Sequence, residues 1–158
     1  MSAHFLQDLP CLFTAAQDPL KTGLTFSVLL PPDQVREAAR LCRGKGYHLE
    51  DVTVSEVQEG TLVLYHYDHF DRPGRICCMA LSADNSFDSI ADIFPGADWH
   101  ERECCDFFGT AFAGHPNLIP LLLPPDAQTP PLKKQDGNKV PLTTIFPWAQ
   151  APATLEEA

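Results

Sequence analysis

Residues 47–81, YHLEDVTVSEVQEGTLVLYHYDHFDRPGRICCMAL, read as three strands joined by turns. Between Tyr47 and Val57, Val52 and Val54 share a face while Leu49 falls out of phase, which predicts a bulge. Glu59-Gly60 turns the chain into Leu62 to His69, and Asp71-Arg72-Pro73-Gly74 turns it again into Arg75 to Leu81. Consecutive strands joined by tight turns make antiparallel neighbours, so this stretch predicts a meander.

Upstream, Leu24, Phe26, Val28 and Leu30 alternate with Thr25 and Ser27, the pattern of a half-buried strand. Pro31 and Pro32 end it, and Asp33 is the expected N-cap of a helix. That helix places Val35, Ala38, Ala39 and Cys42 on one face and stops at Gly44 and Gly46. Met1 to Lys21 carries no pattern that assigns it. Downstream, Ser86 to Phe94 is expected to form a short helix, broken by Pro95-Gly96. Ala97 to Phe108 forms a second, ending at Gly109. Seven prolines lie between Pro124 and Ala158, with a modest apolar cluster at Leu142 to Trp148. Such a tail makes little regular structure of its own. The expected fold is α+β and two-layered: a mixed, mostly antiparallel sheet with helices on one face. Residues 1–123 form the domain and 124–158 an extended, proline-rich tail.

The chain's 158 residues are 44% apolar and 20% charged, ordinary for one globular domain. No apolar run is long enough to cross a bilayer, and Met1 to Pro10 lacks the features of a secretory signal. A soluble, cytoplasmic protein is expected, associated with a membrane only through other subunits. A formal net charge of −10 argues against nucleic acid and fits either a basic partner surface or simple solubility. The six cysteines, two pairs of them adjacent, lack CxxC spacing, so they are read as reduced and mostly buried thiols.

The densest polar cluster is Trp99-His100-Glu101-Arg102-Glu103-Cys104-Cys105-Asp106. His100 and Cys104 are four apart, and His115 could join them across space as a metal or thiol site. Two ligands on one helix are weak evidence. The alternative is a helix whose carboxylates and arginine pair internally or with a partner. Glu103 and Asp106 could act as an acid–base pair, but Arg102 is placed to neutralise Asp106. His66 and His69 lie three apart, on opposite faces of a strand. Neither a GxGxxG after a strand nor a GxxxxGK[ST] loop occurs, so no dinucleotide or nucleoside triphosphate motif is present.

Glu101-Arg102-Glu103, two residues, Asp106-Phe107-Phe108, six residues and His115 together resemble the signature of the thirty-kilodalton subunit of complex I. This is the C subunit of NADH–quinone oxidoreductases, and a related subunit occurs in membrane-bound nickel–iron hydrogenases. Ser89 to Pro95, Trp99, Gly109, Phe112, Gly114-His115-Pro116, Leu121 to Pro124 and Pro131-Leu132-Lys133-Lys134 resemble family blocks in order. The resemblance implies a non-catalytic, cofactor-free assembly subunit of a peripheral arm. Its partners are the large subunit, which frames the quinone site or the nickel–iron centre, and other arm subunits. It is expected on the cytoplasmic side of the inner membrane. The residues so implied to dock are Trp99, Glu101, Arg102, Glu103, Asp106, Gly109, Gly114, His115, Pro116, Leu132 and Lys133. The tail suits a strap lying along another subunit, and a merely disordered end is the alternative. Ile119-Pro120 stands where the family usually has an arginine, and Lys133-Lys134 replaces its usual Arg-Lys pair. These departures lean toward a hydrogenase-like assembly. A small metal- or thiol-dependent enzyme using His100, Cys104 and His115 is the competing function.

Overall fold

A computed structural model describes residues 4–72 and 74–149 of the chain. The elements run β1 (Phe13–Ala16), α1 (Pro19–Thr22), β2 (Phe26–Leu30), α2 (Val35–Gly44), β3 (His48–Val57), β4 (Gly60–Asp68) and β5 (Ile76–Ser82). Then come β6 (Ser86–Asp88), α3 (Ala97–Phe108), β7 (Ala111–Ala113) and α4 (Leu142–Ile145). β3, β4 and β5 form the expected antiparallel meander, and its register shifts between Leu49 and Asp51, where the bulge is predicted. Gly60 makes the tight turn possible. Its φ is +145°, and a Cβ there would collide with the Ser82 carbonyl oxygen. Pro73, in the second turn, lies outside the described residues.

The main sheet has the order β1-β2-β5-β4-β3, with β2 parallel to β5. β2 is not half-buried as its alternation suggests: all five residues are buried, because β1 and β5 flank it and both sheet faces are covered. β1 comes from the unassigned N-terminal stretch and is too short to show a period. α2 buries Val35, Ala38, Ala39 and Cys42 as predicted. Asp33 is not its cap. A 3₁₀ turn over Pro32–Gln34 precedes the helix, and Gln34 takes the cap position without a side-chain bond. The helix expected over Ser86 to Phe94 is also corrected. Ser86–Asp88 is a strand paired in parallel with β7, and helical bonding is confined to a turn closed by Phe94 N–H on Ile90 O. α3 has its predicted bounds, with Gly109 in the left-handed region donating to Cys105 O at 2.9 Å.

α2 and α3 cover one sheet face. There Val28, Val63, Tyr65 and Cys78 meet Ala38 and Cys42 of α2 and Ala97 and Cys104 of α3. The opposite face presents Leu29, Leu62, Cys77, Met79 and Leu81. Cys77 and Cys78 thus point to opposite faces, and all six thiols are free. Among the described residues, the tail covers this second face of the chain's own sheet. Lys134 N–H bonds the Glu56 carboxylate at the β3 edge, and Val140 bridges Val57 in parallel. Leu142 N–H then reaches Glu59 Oε2 at 2.9 Å. Leu142 and Ala149 are buried, with Phe146 and Trp148 packed beside them. The cause is hydrophobic: without these residues Leu62, Met79 and Leu81 would face water. The strap also shields part of an exposed sheet edge. Residues 150–158 of the expected tail lie outside the described residues.

Candidate partner-docking site

α3 organises the region the signature marks. Glu101 is fully buried; its Oε2 accepts the Ser89 hydroxyl at 2.5 Å and its Oε1 the Ile90 N–H at 2.8 Å. Burial pushes this carboxyl up to about 7, against the two hydrogen bonds and with help from nearby Asp98 and Asp92. The His115 imidazole is buried too, its Nε2 3.2 Å from the Asp98 carbonyl oxygen and 3.8 Å from Glu101 Oε2. Its Nδ1 accepts the Asn117 N–H at 3.0 Å, which leaves the ring proton on Nε2 to be donated to Asp98 O.

Arg102 and Asp106 do not pair as the sequence suggests. They grip one segment by its two kinds of polar group. Arg102 donates to the carbonyls of Ile119 at 2.9 Å and Pro120 at 3.2 Å. Asp106 Oδ2 accepts the backbone N–H groups of Leu121, Leu122 and Leu123 at 3.0, 2.7 and 3.0 Å. Burial opposes ionisation of Asp106. The three amides and the Arg102 charge outweigh it and hold the carboxyl below its ordinary value. The physical reason is plain: a bent, proline-flanked segment cannot satisfy its own backbone groups, so side chains from the helix do so. Farther on, Leu132 N–H bonds Phe107 O at 3.0 Å, and Pro130 rests against Gly109.

The clamp holds Ile119 and Leu122, and with Trp99 of α3 and Leu132 they make up an exposed apolar strip. Trp99 is 67% exposed, Ile119 54%, Leu122 61% and Leu132 55%. Glu103, Gly109, Gly114, Pro116 and Lys133 are exposed alongside. Of the residues expected to dock, Glu101 is therefore corrected to an internal strut. The His115 side chain is likewise enclosed, and Arg102 and Asp106 act by shaping the segment. Sequence reasoning missed Ile119 and Leu122 as surface residues. The available signal was the run of leucines between Pro120 and Pro124, apolar without a helical or strand period.

The competing constellation does not come together. His100 and Cys104 line a cleft between α3 and β3, whereas His115 is engaged with Asp98. The Cys104 thiol is pushed up to about 12, by burial first and then by the charges of Glu103, Glu101 and Asp51. A thiolate is therefore disfavoured near neutral pH. Among the described residues, no three His, Cys, Asp or Glu side chains form a group able to hold a metal ion. Glu103 and Asp106 are not a catalytic pair, because Asp106 is engaged with three amides.

The fold is thus a two-layer α+β domain whose signature helix clamps a segment with exposed apolar side chains. Residues 28–139 match the family described as the respiratory-chain NADH dehydrogenase, 30 Kd subunit, and the chain belongs to that family. The NADH-quinone oxidoreductase C subunit of Roseiflexus castenholzii is 43% identical over 118 residues, covering 69% of this chain and 68% of that protein. The NADH-quinone oxidoreductase C/D subunit of Acidiphilium cryptum is 42% identical over 74 residues, which are 46% of this chain but 12% of that protein. The chain thus matches only a small part of that longer protein. Among solved structures, a chain of the membrane-bound sulfane sulfur reductase, an archaeal respiratory membrane complex, superimposes with a TM-score of 0.68. That match has 17% identity over 98% of this chain and 92% of the other. A trypsin-resistant fragment of Nqo5 gives 0.58, at 22% identity over 66% of this chain and 88% of the fragment. At these identities both likenesses speak for the fold alone. Among the described residues, no helix is long and apolar enough to cross a membrane.

Proposed function

We propose that the chain is a non-catalytic assembly subunit in the peripheral arm of a complex I-like respiratory complex, docking on the large subunit. One observation carries this reading: the exposed apolar residues Trp99, Ile119, Leu122 and Leu132, of which Ile119 and Leu122 are held by the Arg102 and Asp106 clamp. Large apolar side chains mounted on a rigid support favour burial against a partner. Glu103, Pro116 and Lys133 border the strip and complete the proposed contact. Other subunits hold the chain at the cytoplasmic face of the membrane.

The test is affinity purification of the tagged full chain from its native host. The wild-type chain is expected to recover a large subunit, and Trp99→Asp with Leu122→Asp to lower that recovery by about thirty-fold, as loss of an interface hot spot does. Failure of the wild-type chain to recover any respiratory subunit refutes the reading. Whether the recovered subunit belongs to a quinone reductase or to a hydrogenase decides the parent complex, on which the departures at Ile119, Pro120 and Lys133 bear.

A further inference from the structure

We propose that the cleft between α3 and the outer edge of β3 receives a basic side chain, lysine or arginine, from the partner subunit. The inference rests on the docking reading and adds the chemistry of the contact. The cleft encloses about 360 Å³. Buried Val52 and Cys104 form its floor, with Phe107 and Leu132 as apolar walls. Glu103, exposed on α3, stands at its rim, while Asp51 lines it from the strand edge with its carboxylate turned to His66 on β4. This shape and polarity suit a long aliphatic stem that ends in a cation: the stem covers the walls while the charged head reaches the rim.

The rim carboxylate is available. Glu103 forms no hydrogen bond or ion pair among the described residues, and Asp51 engages one oxygen, with His66 Nδ1 2.6 Å from Oδ1. Their charge is felt inside the cleft, since Glu103 and Asp51 both add to the burial that raises the Cys104 thiol. The cleft is also continuous with the exposed strip, because Leu132 belongs to both. A partner seated on the strip covers the cleft mouth and removes water from the Glu103 carboxylate. That desolvation is costly unless a cation offsets it. An acidic side chain would be repelled, and an apolar one would leave the Glu103 carboxylate unpaired.

The experiment compares the tagged full chain with Asp51→Lys/Glu103→Lys and Asp51→Asn/Glu103→Gln, each purified from the native host. Circular dichroism and the urea midpoint of the isolated chain report folding. Charge reversal is expected to lower recovery of the partner by at least about tenfold, as for a close interfacial charge pair. Neutralisation is expected to lower it less and to flatten its dependence on salt. If the reversed variant fails to fold, the neutral pair supplies the same reading through that salt dependence. Wild-type recovery by both folded variants, with unchanged salt dependence, overturns the cleft proposal and leaves docking through the strip intact. Absence of any respiratory partner on the wild-type chain overturns the docking reading and this inference together.

Discussion

Asp106→Ala removes one carboxylate oxygen that holds three consecutive backbone amides at 2.7 to 3.0 Å. Two of those amides belong to half-buried residues, Leu121 and Leu123, and one to exposed Leu122. A hydrogen bond to a charged group contributes about 1.5 kcal/mol at the lower end of its range, which suits the two half-buried amides, and the exposed one adds little. The expected loss is about 3 kcal/mol, concentrated in the clamped segment. Asp106→Asn keeps an acceptor but loses the charge, so about half of that loss is expected. Hydrogen exchange reads the local effect at the amides of residues 121–123, and urea denaturation reads the share that reaches global stability. The sign of the pH dependence follows from the lowered carboxyl. Its contribution is present above the ordinary carboxylate range and is lost as pH falls through the folded-state value. The wild-type advantage over Asp106→Asn therefore holds at neutral pH and shrinks below about pH 4. Unchanged protection at 121–123 in Asp106→Ala, with stability within about 0.5 kcal/mol of wild type, refutes the clamp.

Glu101→Gln is expected to relieve a cost that rises with pH. The buried carboxyl ionises near 7 when folded and near the ordinary glutamate value when unfolded. The folded state thus holds an extra proton between about pH 4.5 and 7, and wild-type stability falls across that window. Relative to Glu101→Gln, the fall amounts to roughly 3 kcal/mol, measured by urea titrations at stepped pH; a difference that stays flat with pH refutes it. Leu142→Ala, at a fully buried position on the second sheet face, is expected to cost about 2–4 kcal/mol and to expose the strap to limited proteolysis. A cost below about 0.5 kcal/mol would show that the strap does not cover that face in solution.

The elements that were legible in sequence rest on neighbours in sequence. The α2 stripe, the meander with its bulge at Leu49 and the bounds of α3 all follow from local period, turns and a terminal glycine. What escaped depends on a partner far along the chain. Ser86–Asp88 is a strand because Ala111–Ala113 lies beside it, and isolated pattern reading saw only a short helical run there. The residues expected to dock divide by burial. Trp99, Glu103, Pro116, Leu132 and Lys133 are on the surface, while Glu101 and His115 serve the interior. A charged residue in a signature shows chemical constraint, but the same letters suit a strut or a contact.

The family, the strand–helix–meander order and the place of the signature helix could all be read from the residues in line, because period, turns and ordered motifs act over short distances. Three outcomes came only with the folded chain: the tail closes the sheet's second face, Arg102 and Asp106 divide one segment between them, and a cleft opens beside Leu132. They depend on which apolar surfaces remain to be covered and which backbone groups lack partners once the sheet has formed, and no local pattern records either.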